Sequence, residues 1–330
     1  MDLSLPPRIP LAQLPTPVTP LTRLSDELGG PLISMKRDDL TGCELSGNKV
    51  RKLEYLLAEA QAGSASVVIT CGGVQSNHAR ATAIAARKLG INASLVLRGD
   101  PPEDIDGNLL LSCLAGARIQ YVGFREWNHH KRIMVDAARK LEDEGERPYI
   151  IPLGGSNALG SWGYISMLSE LVDERGKIPY SHLFCAAGSG GTLAGLLLGR
   201  LILNLDIEIL AVNVCNNPAY FQAQVDGIVD EFNKRHKTKI RIDHRSYTIL
   251  EGYVGPGYAI PYDEEIGVIR RIALSEGIFL DPVYTGKAFY GLMDQLSKNC
   301  FTSKDHLLFI HTGGLFGLFP QRGALGKLSA

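Results

Sequence analysis

Two hydrophobic rhythms alternate along this chain. Apolar, often β-branched runs of strand length occur at Leu32–Met35, Val67–Thr70, Ala93–Leu97, Arg118–Val122, Tyr149–Leu153, His182–Ala187, Ile207–Val214 and His306–His311. Between them lie stretches whose apolar residues recur at helical spacing. The first opens at Lys49 and closes near Gly63, with Leu53, Leu56, Leu57 and Ala60 on one face. Ala79–Leu89, Asn108–Leu114, Lys131–Leu141, a helix running to about Glu174, Thr192–Leu203, a helix through Lys234, Glu264–Ser275 and Lys287–Lys298 follow. Such alternation predicts an α/β fold of parallel-rich sheets covered by helices. Residues 1–30 read as an extended, proline-punctuated lead-in, and the polar stretch 226–245 as a surface excursion. There is no internal repeat and no low-complexity linker.

Composition narrows the picture. A chain of 330 residues has room for about two domains. The formal net charge of −1 gives no overall field toward nucleic acid or an anionic membrane. The cysteines at 43, 71, 113, 185, 215 and 300 form no CxxC pair, and most sit in apolar runs. They read as buried free thiols in a reducing compartment, with neither a disulfide frame nor a metal site. Residues Met1–Leu21 lack the charged and apolar regions of a secretory signal, and no apolar run is long enough to span a membrane. The expected location is cytoplasmic, or mitochondrial or plastid if a transit peptide has been removed.

Candidate chemistry gathers at the ends of strands. Ser46-Gly47-Asn48-Lys49 sets a lysine at the mouth of a helix that Ser46 or Asn48 can cap. Lys49, Arg51 and Lys52 crowd its first turn against the helix dipole, which calls for an anion or marks a solvated basic face. A lysine so placed can have its pKa lowered and form a Schiff base. Ligands of open α/β sheets bind beyond the carboxyl ends of strands, where helix N-termini present free N–H groups. Gly188-Ser189-Gly190-Gly191-Thr192 occupies such a place. It lacks the lysine of a nucleoside-triphosphate loop, and no acid ends the next strand as a dinucleotide site requires, so a single phosphate suits it better. Gln75-Ser76-Asn77-His78 offers three polar residues where a helix cap needs one. Gly154-Gly155-Ser156-Asn157 is by itself a turn. Tyr258 and Tyr284 sit in Gly/Pro loops outside any helix stripe, and Thr312 ends the final strand.

Taken in order, Lys36-Arg37-Asp38-Asp39, Gly47–Lys52, Gln75–His78, Gly154–Ser156, Gly188–Thr192, Asp281-Pro282-Val283-Tyr284 and His311-Thr312-Gly313-Gly314 resemble one family. It is the pyridoxal-phosphate (PLP) lyases of the tryptophan-synthase-β type, specifically D-cysteine desulfhydrases and 1-aminocyclopropane-1-carboxylate (ACC) deaminases. The resemblance spans nearly the whole chain and is closest to the desulfhydrases. It implies a two-domain fold type II enzyme, with residues 1–51 and 156–330 as a large domain and 52–155 as a small one, and a homodimer. It implies that Lys49 holds PLP covalently. Lys52, Gly188, Ser189, Gly190, Gly191 and Thr192 would bind the phosphate, and Asn77 the ring oxygen. Ser76, Asn77, His78 and Gly155 would hold a small amino-acid substrate. Tyr258 and Tyr284 would flank that substrate, and with Ser76 they are further catalytic candidates beside Lys49.

Two family positions favour one reaction. ACC has no α-hydrogen, so opening its ring calls for a carboxylate at the pyridine nitrogen. The deaminases resemble Tyr-Glu-Gly-Lys and His-Leu-Gly-Gly where this chain has Tyr284-Thr285-Gly286-Lys287 and His311-Thr312-Gly313-Gly314. A hydroxyl cannot hold a pyridinium charge as a carboxylate does. Thr285 and Thr312 therefore point to β-elimination and away from ACC ring opening, and the resemblance implies D-cysteine as the substrate, giving pyruvate, hydrogen sulfide and ammonia. Alternatives are elimination from L-cysteate or another β-substituted alanine, and ACC deamination. A sulfonate leaving group would need a further cation near Cβ, which the sequence does not identify.

Overall fold

The computed structural model describes residues 3–326; Met1, Asp2 and residues 327–330 lie outside the described residues. In chain order the elements are β1 (Val18–Pro20), α1 (Thr22–Leu28), β2 (Leu32–Arg37), α2 (Asn48–Ala62), β3 (Val67–Gly73), α3 (Asn77–Lys88), β4 (Asn92–Arg98), α4 (Gly107–Leu114), β5 (Arg118–Val122), α5 (His130–Asp143) and β6 (Pro148–Ile150). There follow α6 (Ala158–Ser169), β7 (His182–Ala187), α7 (Gly191–Ile202), β8 (Glu208–Asn213), α8 (Pro218–His236), β9 (Thr248–Leu250), α9 (Asp263–Glu276), α10 (Thr285–Ser297) and β10 (His306–His311).

These strands form two sheets, a six-stranded one in the order β1-β2-β10-β7-β8-β9 and a four-stranded one in the order β5-β4-β3-β6. Every pairing is parallel except β1 with β2. Continuous burial along β3, β7 and β10 matches their near-unbroken apolar runs, as expected of strands covered on both faces. The chain leaves the large sheet after β2, builds the whole four-stranded sheet, and re-enters at β7. The helix α2 spans the change: Leu53, Leu56 and Leu57 are fully buried in the main core, beside Trp162, Ile165 and Leu168 of α6.

Some expectations are corrected. The lead-in contains the edge strand β1 and the helix α1, and β9 was unforeseen. Strand β6 stops at Ile150, because Pro152 lacks an N–H and Gly154 turns at φ 67°, winding Leu153–Gly155 into a short 3-10 turn. Helix α6 ends at Ser169, short of Glu174. The cysteines are all free, but only Cys71 and Cys185 are buried, and Cys43 and Cys300 are exposed. Among the described residues no helix is long and apolar enough to cross a membrane. Nor is any group of three or more His, Cys, Asp or Glu side chains placed to hold a metal ion.

Candidate active site

The C-terminal ends of β3, β7 and β10 and the N-termini of α2, α3 and α7 enclose a cavity of about 430 Å³. Lys49 lines it from the first turn of α2. Neither Ser46 nor Asn48 caps this helix. The cap residue is Gly47, at φ 112° and without a side-chain bond. Ser46 Oγ instead donates to the Asp39 carbonyl (2.8 Å), and Asn48 Nδ2 to Thr192 Oγ1 (3.2 Å). Glycine is needed at 47 because a Cβ there would lie 2.8 Å from the Thr312 carbonyl oxygen.

The three cations of that first turn separate into different environments. Arg51 is neutralised within the protein, since its guanidinium pairs with Asp38 at 2.7 Å and Glu170 at 2.6 Å. Burial alone would raise the Asp38 carboxyl, but the Arg51 charge, with bonds from Arg51, Tyr164 and Thr16, holds it below its usual range. Lys49 and Lys52 have no such carboxylate. Removal from bulk water lowers the Lys49 amine to about 8. Burial, then the Lys49 charge, pushes Lys52 well below the ordinary lysine range. Lys52 is enclosed, and its Nζ donates to the Gly154 carbonyl at 3.3 Å.

Across the cavity stands the loop between β7 and α7. Gly188, Ser189, Gly190 and Thr192 line the space, whereas Gly191 packs on Ser156, where a Cβ would fall 2.5 Å from the serine Oγ. The backbone N–H groups of Gly188, Ser189 and Gly190 meet no acceptor among the described residues. Ser156 Oγ donates to Ser189 Oγ at 2.9 Å.

A third wall comes from the start of α3. Ser76 caps that helix by accepting from Ala79 N at 3.1 Å. Asn77 and His78 follow it into the lining. Asn77 Oδ1 is buried without a partner among the described residues. His78 lines the cavity with its Nδ1 buried and without a partner among the described residues. Thr70 Oγ1 gives its proton to the Ile151 carbonyl (2.9 Å), so it accepts from His78 Nε2 (2.9 Å). Burial, with Lys49 and Lys52 nearby, depresses the imidazole far below its usual pKa. His78 is thus a neutral ring with one nitrogen committed.

Tyr258 and Tyr284 close the fourth side with their hydroxyls 2.6 Å apart. Thr312 lines the cavity, but Thr285 does not. The Thr285 hydroxyl donates to Asp281 Oδ1 and accepts from Asp281 N, both at 2.7 Å, which turns it into the α10 N-terminus. Gly155 is displaced likewise. It packs against Leu56 and Lys52, and Gly154 and Leu153 take its place in the lining. Residues unforeseen in the sequence also line the space, among them Arg98, Trp127, His130 and Asn216.

A phosphorylated aldehyde fits these walls. The glycine loop offers free N–H donors, two amines lack counter-charges, one amine titrates low enough to attack a carbonyl, and an orphaned amide oxygen awaits a donor. Among the described residues no Asp or Glu lines the cavity.

Comparison with known proteins agrees with this geometry. Residues 9–313 match the family described as pyridoxal-phosphate dependent enzyme. The bifunctional D-cysteine desulfhydrase/1-aminocyclopropane-1-carboxylate deaminase, mitochondrial, of Arabidopsis thaliana is 40% identical over 96% of this chain and 80% of its own length. A D-cysteine desulfhydrase of Serratia proteamaculans is 38% identical over 96% of this chain and 97% of its own. A crystal structure of an ACC deaminase homologue superposes with a TM-score of 0.89 at 39% identity, covering 98% of this chain and 96% of that one.

Proposed function

This chain belongs to the pyridoxal-phosphate dependent enzyme family, and on that premise we propose that it removes the β-thiol of D-cysteine, giving pyruvate, ammonia and hydrogen sulfide. Its cofactor is pyridoxal phosphate and its activity that of a lyase. Bound in the cavity, the cofactor supplies an electron sink for negative charge at the substrate Cα.

The protein's residues supply the rest. Lys49 Nζ is the covalent anchor. With a pKa lowered to about 8, a useful share of it is neutral near pH 7, so once displaced by the substrate amine it can take the α-proton. The N–H groups of Gly188, Ser189 and Gly190 hold the phosphate, with Lys52 behind Gly154 offsetting its charge. Asn77 orients the ring, and the α3 N-terminus at Ser76 receives the substrate carboxylate. The hydroxyl-linked Tyr258 and Tyr284 border the departing thiol. The division into residues 1–51 with 156–330 and 52–155, and a homodimer, belong to the same reading.

The observation that carries it is the Lys49 amine, without a carboxylate partner among the described residues and lining the same cavity as the free N–H groups of Gly188–Gly190. Its choice over ACC deamination rests on the lining, which has Thr312 and no carboxylate to hold a pyridinium charge. A panel of D- and L-cysteine, L-cysteate, D-serine and ACC, assayed for keto acid and sulfide, tests it. The expected product set is pyruvate and sulfide from D-cysteine. Keto acid from ACC alone would reverse the choice.

A further inference from the structure

Among the described residues, the charges around the cavity leave one cation unassigned. A phosphate and a substrate carboxylate are met by the glycine loop with Lys52 and by the α3 N-terminus. Arg98 remains. It ends β4, level with Gly73 on β3 across the parallel ladder, so its side chain lines the cavity beside the β3–α3 turn. Its guanidinium carbon lies 5.2 Å from the Tyr258 ring centroid, 5.4 Å from Trp127 and 5.6 Å from Phe124. Among the described residues its guanidinium donates no hydrogen bond and meets no carboxylate. Ring faces attract the charge but leave the guanidinium's five N–H donors unused. A fork of donors fixed in place by three rings is the geometry that binds a planar or tetrahedral oxyanion bidentately.

We infer that Arg98 receives a second negative group on the substrate, so that the site accepts β-thio-substituted alanines carrying a sulfonate or carboxylate beyond the sulfur. This rests on the lyase reading above, which borders the departing group with Tyr258, the ring on which Arg98 stacks. S-sulfocysteine is the simplest member of the class. Its elimination balances: the α-proton passes to Lys49 Nζ and the Cβ–S bond breaks, its electron pair leaving as thiosulfate. The three-carbon fragment takes up water to give pyruvate and ammonia.

The test compares S-sulfocysteine with cysteine, each enantiomer separately, in the holoenzyme and in Arg98→Gln and Arg98→Lys variants. The pair share the Cβ–S bond and differ in the sulfonate. In Arg98→Gln the ratio of kcat/KM for S-sulfocysteine over cysteine falls roughly tenfold or more, as expected for a lost charged hydrogen bond. Arg98→Lys retains part of it. A binding arm is independent of turnover: calorimetric titration with glutamate and alanine, which have no thiol to lose, glutamate carrying its second carboxylate one atom beyond the place of the sulfur. Glutamate binds more tightly than alanine, and Arg98→Gln removes that preference. An unchanged ratio with no glutamate preference overturns the inference and leaves the lyase reading standing. If neither thio substrate yields pyruvate, the lyase reading fails, and the glutamate preference alone decides Arg98.

Discussion

Gly47 and Gly313 meet backbone to backbone: a Cβ on Gly313 would lie 2.6 Å from the Gly47 Cα. Beside them Asn48 N donates to the Thr312 carbonyl at 3.0 Å. The start of α2 is thereby tied to the end of β10, and Lys49 and Thr312 are fixed on one wall. Gly313 stands at φ 87°, so a side chain there is strained as well as crowded. Gly313→Ala should cost about 1–3 kcal/mol of stability and weaken cofactor retention. Thermal unfolding and cofactor absorbance after dialysis read the two effects. A variant as stable and as yellow as the wild type would show that this contact does not position Lys49.

The Tyr258 and Tyr284 hydroxyls, 2.6 Å apart, act as a unit. Burial, and then Tyr258, raises Tyr284 well above the ordinary tyrosine range, so neither ring ionises near neutral pH. Each Tyr→Phe change should lower kcat on the preferred thiol substrate about tenfold or more, with the double variant little worse than either single one. Multiplicative losses in the double-mutant cycle would mean that the rings work separately.

Glu265 gives a pH dependence. It is fully buried, both its carboxylate oxygens lack a hydrogen-bond partner among the described residues, and burial pushes it up to about 8 although Lys287 opposes the shift. Lys287 donates instead to the carbonyls of Val254 (2.7 Å) and Gly257 (2.8 Å), holding the Tyr258 loop. A carboxyl raised in the folded state contributes its full stability below its unfolded pKa and loses it as pH rises through about 8. Glu265→Gln should therefore match the wild type near pH 5 and exceed it near pH 9, by on the order of 1–3 kcal/mol. Denaturant unfolding at the two pH values decides it. A variant less stable at pH 9 would mean the carboxylate is paired.

Ser76 serves as a helix cap as well as a candidate for the substrate carboxylate. Ser76→Ala should cost about 1 kcal/mol of stability and raise KM several-fold while kcat changes little. A collapse of kcat at saturating substrate would move Ser76 from binding into proton transfer.

What was legible in the sequence depended on the range of the contacts involved. Strands such as Val67–Gly73 and His306–His311 announce themselves because burial on both faces leaves an unbroken apolar run. The three-residue strands Val18–Pro20 and Thr248–Leu250 carry too few positions to show a period. The loop glycines and Lys49 were visible as ordered motifs. The partners of Arg51 were not, since Asp38 and Glu170 stand 13 and 119 positions away. The tie of Thr285 to Asp281 was equally hidden, because it depends on the geometry of the α10 N-terminus. Arg98 was silent for a related reason: only the register of β4 on β3 brings it to the cavity.

The central claim is that Lys49 is the covalent anchor of the cofactor. Borohydride reduction of the yellow holoenzyme, followed by proteolysis and peptide mapping, measures it directly. A single modified peptide containing Lys49 is expected, and no modified peptide from a Lys49→Ala variant. Label on Lys52, or on any other lysine of the native protein, would contradict it.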